Sequence, residues 1–155
     1  MAHTHQYRSQ LAWSGSTGAG YETYDRTHRV GVPPALAELE LSSDPVFGGH
    51  DELANPEQLL LAAASSCQLL SFLAIAAQSR VDVLAYADAA EAVMPEDAKP
   101  MRITRIALRP RITVVPGTDL ARVHRLVQRA HEACFIANTL NAEMIIEPTV
   151  EHASG

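Results

Sequence analysis

Apolar and polar positions alternate in three different ways along the chain. In the first 42 residues, short apolar runs are separated by turn residues. Tyr7 to Trp13 fits a first strand, Gly15-Ser-Thr-Gly-Ala-Gly20 a flexible turn, and Tyr21 to Arg26 the returning strand of a hairpin. Val30 to Val32, Pro33-Pro34 and Ala37 to Leu41 fit a third strand interrupted by the prolines. Ser42 to Ala54 holds Pro45, Gly48, Gly49, His50, Asp51 and Glu52, and fits an irregular loop suited to the rim of a site.

The second pattern is a helix. Asn55 is a good N-cap, Pro56 a favoured first helical residue, and Gln58 completes a capping box. From Gln58 to Ser79 there are 22 residues without a charge. That length suffices for a bilayer, but Gln58, Ser65, Ser66, Gln68, Ser71 and Gln78 argue against a membrane span, as does the lack of a second one. A helix apolar nearly all round needs cover on every side. One small sheet covers one side, so the remainder predicts a second copy of the chain and an obligate homodimer built around this helix.

The third pattern mixes both periods. Val81 to Met94 is β-rich, with Tyr86 and Asp88 on one alternate face, and Pro95 to Pro100 is a loop. Met101 to Val115 sets Ile103, Ile106, Leu108, Ile112 and Val114 among four arginines, the pattern of one or two antiparallel strands with a polar outer face. After Pro116-Gly117, Thr118 or Asp119 can cap a helix whose Leu120, Val123, Val127, Ala130 and Cys134 share one face. Glu143 to Val150 fits a last strand. Neither a repeat nor a linker interrupts the 155 residues. The fold class is α+β in a single domain over 1–155: an antiparallel sheet wrapped around a central apolar helix, plus an amphipathic helix.

Composition narrows the function. A content of 47% apolar and 19% charged residues is that of a globular chain. The net charge of −6, with Lys99 the one lysine and no basic block, excludes a general nucleic-acid or anionic-membrane surface. Met1-Ala-His-Thr-His-Gln-Tyr-Arg8 has no apolar leader segment, so a cytoplasmic location is expected. There a permanent disulfide is disfavoured and a transient catalytic one is permitted.

The candidate chemistry lies in two cysteines, Cys67 inside the uncharged helix and Cys134 at the end of the amphipathic one. A peroxidase-type thiolate attacks an O–O bond, becomes a sulfenic acid and is resolved as a disulfide by a second thiol. Free cysteine is equally at home as a small buried hydrophobe, and composition leaves both uses open. Metal binding by Cys67, Cys134 and a histidine such as His131 lacks the close ligand pairs of structural zinc sites. No G-x-S-x-G elbow is present, and the Gly15 to Gly20 stretch matches neither phosphate-loop pattern.

Three features occur together: Trp13-x-Gly15 in the first hairpin, Asn55-Pro-Glu-Gln-Leu-Leu-Leu-Ala-Ala-Ala-Ser-Ser-Cys67, and Ala133-Cys134-Phe-Ile-Ala-Asn138 after an amphipathic helix. In this order they make the chain resemble the OsmC/Ohr family of organic hydroperoxide reductases over nearly its whole length. With Tyr24-x-Arg26-x-His28 and Cys134 to Asn138, it looks closest to an actinobacterial-type OsmC-like branch. The resemblance implies an intertwined homodimer with two interfacial active sites and thiol-dependent reduction of organic hydroperoxides to alcohols. It implies no metal or flavin cofactor, and reducing equivalents from dithiols, notably lipoylated proteins. By motif, Cys67 is the peroxidatic cysteine, Cys134 the resolving one, and Glu57 the glutamate that orients a catalytic arginine.

Glu57 precedes Cys67 by ten residues, which on one helix separates them by ~15 Å along the axis. If both serve one site, the glutamate reaches the thiol of the other subunit or acts through a long intermediary. An acid in the first turn also favours the helix dipole with no catalytic role. A guanidinium near Cys67 would lower its pKa and bind the peroxide oxygen. In the family it comes from an N-terminal loop or from the segment before the Asn-Pro-Glu motif. No arginine lies between Arg29 and Arg80, nor in the Gly15 to Gly20 turn. Arg26 and Arg29 remain, and the Tyr24-x-Arg26-x-His28 signature favours Arg26. Leu69, Leu70, Phe72 and Phe135 would suit an apolar peroxide, or simply pack in a core. The missing upstream arginine leaves a second expectation: an OsmC-fold protein without peroxidase activity that binds an apolar small molecule or carries out another thiol transfer.

Overall fold

The computed structural model describes all 155 residues. They form two compact units, Met1–Leu59 and Leu60–Gly155.

In the first unit, β1 (Gln10–Ala12), β2 (His28–Gly31) and β3 (Glu38–Leu41) make an antiparallel sheet in the order β1-β2-β3. The expected hairpin is present, but its return strand begins at His28 and not at Tyr21. Arg26 is the physical reason. Its guanidinium donates to the carbonyls of Tyr21 at 2.7 Å and Tyr24 at 2.9 Å. It also stacks over both rings, 4.7 Å and 4.0 Å from their centroids. Carbonyls bound in this way curl the segment into turns instead of a ladder. Trp13 closes the turn by donating from Nε1 to the Asp25 carbonyl and by meeting Tyr24 edge-on.

The loop from Ser42 to Ala54 is irregular, as its composition implies. It contains a 3-10 turn (Pro45–Phe47) capped by the Asp44 side chain, which accepts from the Val46 amide. Gly48 ends the turn at φ +79, and a Cβ there would stand 2.9 Å from the Arg26 guanidinium carbon. The positive φ is what favours glycine here.

The long helix, α1 (Pro56–Gln78), starts where the capping box places it. The Asn55 amide donates to Gln58 Oε1 at 3.0 Å, and the Gln58 amide returns the bond to Asn55 Oδ1 at 2.9 Å. Its far end carries no basic residue of its own. Arg122 caps it instead, donating to the Ser79 carbonyl at 2.7 Å.

The second unit has six strands: β4 (Val83–Asp88), β5 (Glu91–Val93), β6 (Arg105–Leu108), β7 (Pro110–Val114), β8 (Glu143–Ile146) and β9 (Thr149–His152). They form two three-stranded sheets, β4-β7-β9 and β5-β6-β8. Both sheets draw on the same three stretches of chain. The central stretch breaks at Arg109-Pro110 and one edge stretch at Glu147-Pro148, where proline has no amide to give to a ladder. At the first break the Arg109 amide turns away to Asp88 Oδ1, while the Glu147 amide still reaches the Leu108 carbonyl. Arg109 pairs with Glu91 at 3.0 Å and Glu147 at 3.1 Å, exposed ion pairs that touch all three stretches at the bend.

The expectation of an antiparallel sheet needs a correction, because the strand pairs are not all antiparallel. The β6–β8 and β7–β9 pairs are parallel. The connection between them contains α2 (Leu120–Glu132) and α3 (Phe135–Thr139), the long crossover that parallel pairing requires. Asp119 caps α2, accepting from the Arg122 amide. The core of this unit gathers Phe72 and Ala76 of α1, Ile112 and Val114 of β7, and Val123, Leu126, Val127 and Ala130 of α2.

Candidate active site

Cys134 does not close the apolar face of the amphipathic helix. That helix ends at Glu132, and Cys134 is the N-cap of α3, with its side chain 1% exposed. As a cap it makes no side-chain hydrogen bond to its own helix. The sulfur of Cys67, reaching across from α1, does so instead: the Ile136 amide donates to Cys67 Sγ at 3.5 Å. Both cysteines are free thiols, and the second unit brings them together.

The pair is electrostatically asymmetric. Burial opposes ionisation of the half-buried Cys67, but the Ile136 amide, the Cys134 thiol, the Phe135 amide and the Ser71 hydroxyl outweigh it. Their hydrogen bonds hold the Cys67 thiol below its ordinary value. Cys134 goes the other way, to about 11, because it is buried and because its S–H is donated to Cys67. One sulfur is therefore prepared as a thiolate while its neighbour keeps its proton.

The surroundings divide the apolar residues expected near the thiols. Phe72 is fully buried in the core against Tyr86, with ring centroids 5.9 Å apart, and lines no surface. Leu69 is half-buried, whereas Leu70 and Phe135 are exposed at 63% and 79%. Leu70 follows Cys67 by three residues on α1, and Phe135 opens α3, whose first amides face the thiol. Next to Cys67, Gln68 is wholly buried and ties α1 to α2 by donating to the Val127 carbonyl at 3.2 Å. Two residues before it, Ser65 donates to the Asp88 carboxylate, fixing α1 on β4. His131 and the two thiols do not form a three-ligand metal cluster.

The other two expected site residues belong to the first unit. Glu57 is the second residue of α1, half-buried in its first turn. Arg26 is held between Tyr21 and Tyr24, and its Nη atoms donate to the carbonyls of Tyr21, Tyr24 and Gly48. What the sequence did not reveal are the amides of Phe135 and Ile136, main-chain groups with no signature of their own. Ser71 had a signal in its spacing, four residues beyond Cys67.

A long helix without charge beyond Glu57 and carrying a half-buried thiol, met by a second thiol at the start of a short helix, defines a dithiol protein of mixed α+β fold. The family description "OsmC-like protein" matches residues 49–149, and the chain belongs to that family. Solved structures agree. An OsmC-like protein of unknown function from Vibrio cholerae superposes with a TM-score of 0.85 at 26% identity, over 94% of this chain and 100% of that one. The organic hydroperoxide resistance protein OsmC from Legionella pneumophila gives 0.70 at 20% identity, over 97% and 99% of the two chains. An organic hydroperoxide resistance protein from Elizabethkingia anophelis, with thiocyanate bound, gives 0.72 at 19%, over 99% and 100%. No curated protein matches the sequence.

Proposed function

We propose that the chain is a cytoplasmic, homodimeric thiol peroxidase that reduces organic hydroperoxides to alcohols in defence against oxidative stress. The observation that carries this reading is the meeting of the two thiols at the start of α3, where the Ile136 amide donates to Cys67 Sγ and Cys134 is the N-cap; the opposed displacement of the two thiols, Cys67 down and Cys134 up to about 11, supports it. The Cys67 thiolate attacks the O–O bond of the hydroperoxide, forming an S–O bond. The alkoxide leaves and is protonated to the alcohol, and Cys67 remains as a sulfenic acid. Cys134 then attacks that sulfur. The S–S bond forms, and the departing hydroxide leaves as water with the Cys134 proton. A dithiol, such as a lipoylated protein, reduces the disulfide by thiol exchange and restores both thiols. The organic substrate suits the apolar surface of Leu70 and Phe135 beside the thiol. No metal or flavin takes part. In this proposal Glu57 orients the Arg26 guanidinium toward the peroxide, the two residues coming from the same chain as the thiol or from its partner.

The test is consumption of tert-butyl or cumene hydroperoxide with a dithiol reductant. Wild type is expected to turn over, Cys67→Ser to be inactive, and one equivalent of peroxide to remove two free thiols. An inert wild type would sink the proposal.

One observation favours a second reading. The guanidinium of Arg26 already donates to three carbonyls of its own unit. On that reading the chain is an OsmC-fold protein without peroxidase activity, binding an apolar small molecule or serving another thiol transfer. The same assay decides between the two.

A further inference from the structure

We propose that Ser71 is a further member of the thiol site, its hydroxyl donating a hydrogen bond to the Cys67 thiolate. The inference rests on the reading of Cys67 as the reactive thiol. Ser71 follows Cys67 by four residues on the unbroken helix α1, so the two side chains lie on one face, one turn apart. Helical side chains lean toward the N-terminus, which carries the Ser71 hydroxyl back over the turn that holds Cys67. Both residues are half-buried, so a hydrogen bond between them would be partly shielded from water. The Ser71 hydroxyl is also one of the four groups that act against burial to favour the thiolate.

The other three donors, the amides of Phe135 and Ile136 and the thiol of Cys134, all come from the start of α3. Ser71 alone belongs to the helix that carries Cys67, and it keeps its place when the Cys134 proton is consumed in forming a disulfide. It supplies this without a guanidinium, in a chain with no arginine between Arg29 and Arg80. A helical serine has one competing choice, the carbonyl four residues back, which here is also that of Cys67. A hydroxyl committed to that carbonyl would leave ionisation of the thiol unchanged, and this is what the experiment separates.

The experiment is the pH dependence of Cys67 alkylation by iodoacetamide in the reduced full-length protein, followed by peptide mass. Wild type is compared with Ser71→Ala, Ser71→Thr and Ser71→Val. Alanine is the best helix former, and threonine and valine share a shape while differing in the hydroxyl. Ser71→Ala and Ser71→Val are expected to move the midpoint upward and slow alkylation below it by about 3- to 10-fold, with the high-pH plateau unchanged. Ser71→Thr is expected to keep the wild-type midpoint. A wild-type midpoint in Ser71→Ala, or threonine and valine variants shifted alike, overturns the proposal. The assay uses neither peroxide nor reductant. A chain inert toward hydroperoxides with a shifted midpoint refutes the peroxidase reading alone, and an active one without the shift refutes Ser71 alone.

Discussion

The S–H of Cys134 is donated to Cys67, so the two sulfurs titrate as a pair. The S–H of Cys134 is one of the groups that hold Cys67 low, and the Cys67 thiolate is one of the reasons Cys134 is high. Removing either must therefore move the other. Cys134→Ala is expected to raise the Cys67 midpoint, since a donor is lost. Cys67→Ser is expected to bring Cys134 down from about 11 but not to the ordinary 9.0, because burial remains. Thiolate ultraviolet absorbance across pH measures both, and unshifted midpoints in the two variants would deny the contact. Folding stability responds with matching sign. The Cys67 thiol, depressed in the folded state, favours folding above its ordinary value, and that contribution is lost as pH falls through the folded value. Between 9.0 and about 11, the unfolded chain releases the Cys134 proton that the folded chain keeps, so stability falls as pH rises. Both thiols were legible in the sequence, but their meeting point was not. Helical spacing runs on through Cys134, and the break there uses ordinary backbone angles, φ −92 at Ala133 and φ −71 at Cys134, that no glycine or proline announces. Arg26 had a local signal, aromatic residues two and five positions before it, whose consequence is stacking.

At the scale of elements, local interactions could be read in advance and distant ones could not. The Asn55–Gln58 box and the Asp119 cap depend on residues three apart, and both formed as their spacing demanded. Parallel pairing of β6 with β8 and of β7 with β9 depends on where a crossover returns, which hydrophobic period does not encode. The prolines at 110 and 148 were visible, yet their effect appears only when both stretches bend side by side. Asp88 is the joint of this bend, accepting the Ser65 hydroxyl of α1 on one oxygen and the Arg109 amide on the other. Its loss releases a helix-to-sheet tie two residues from Cys67. Asp88→Ala is expected to cost about 2 kcal/mol in urea unfolding, since charge-assisted hydrogen bonds are lost and their donors left unpaired. Arg109→Ala, whose ion pairs are exposed, should leave the unfolding midpoint almost unchanged. Equal effects from the two would show that the bend is held by surface charge.

At the scale of the whole molecule, the amount of uncovered apolar surface calls for a partner. Of the most apolar 18-residue window of α1, only 22% is buried within one chain, and Leu70 and Leu73 stand exposed on it. By length and composition alone such a helix could cross a membrane. Its polar residues point to a different cover. Gln68 is spent on the α2 backbone and Ser65 on Asp88, contacts within a folded unit that a lipid-facing helix would not need. The first unit also carries exposed apolar side chains, Leu11 and Leu39 on its three-stranded sheet and Leu36 in the connection between β2 and β3. Two uncovered surfaces on one chain are most simply covered by a second copy of it, the arrangement that the uncharged helix predicts and the proposed function uses. Sedimentation equilibrium is expected to give twice the chain mass of 16.8 kDa at micromolar concentration. A charge placed on the exposed stripe, Leu73→Glu, is expected to shift the protein to monomer or to insoluble material, because a desolvated carboxylate has no partner there. Wild type sedimenting as a stable 16.8 kDa monomer would leave the exposed stripe of α1 unexplained and would remove the partner chain from the proposed site.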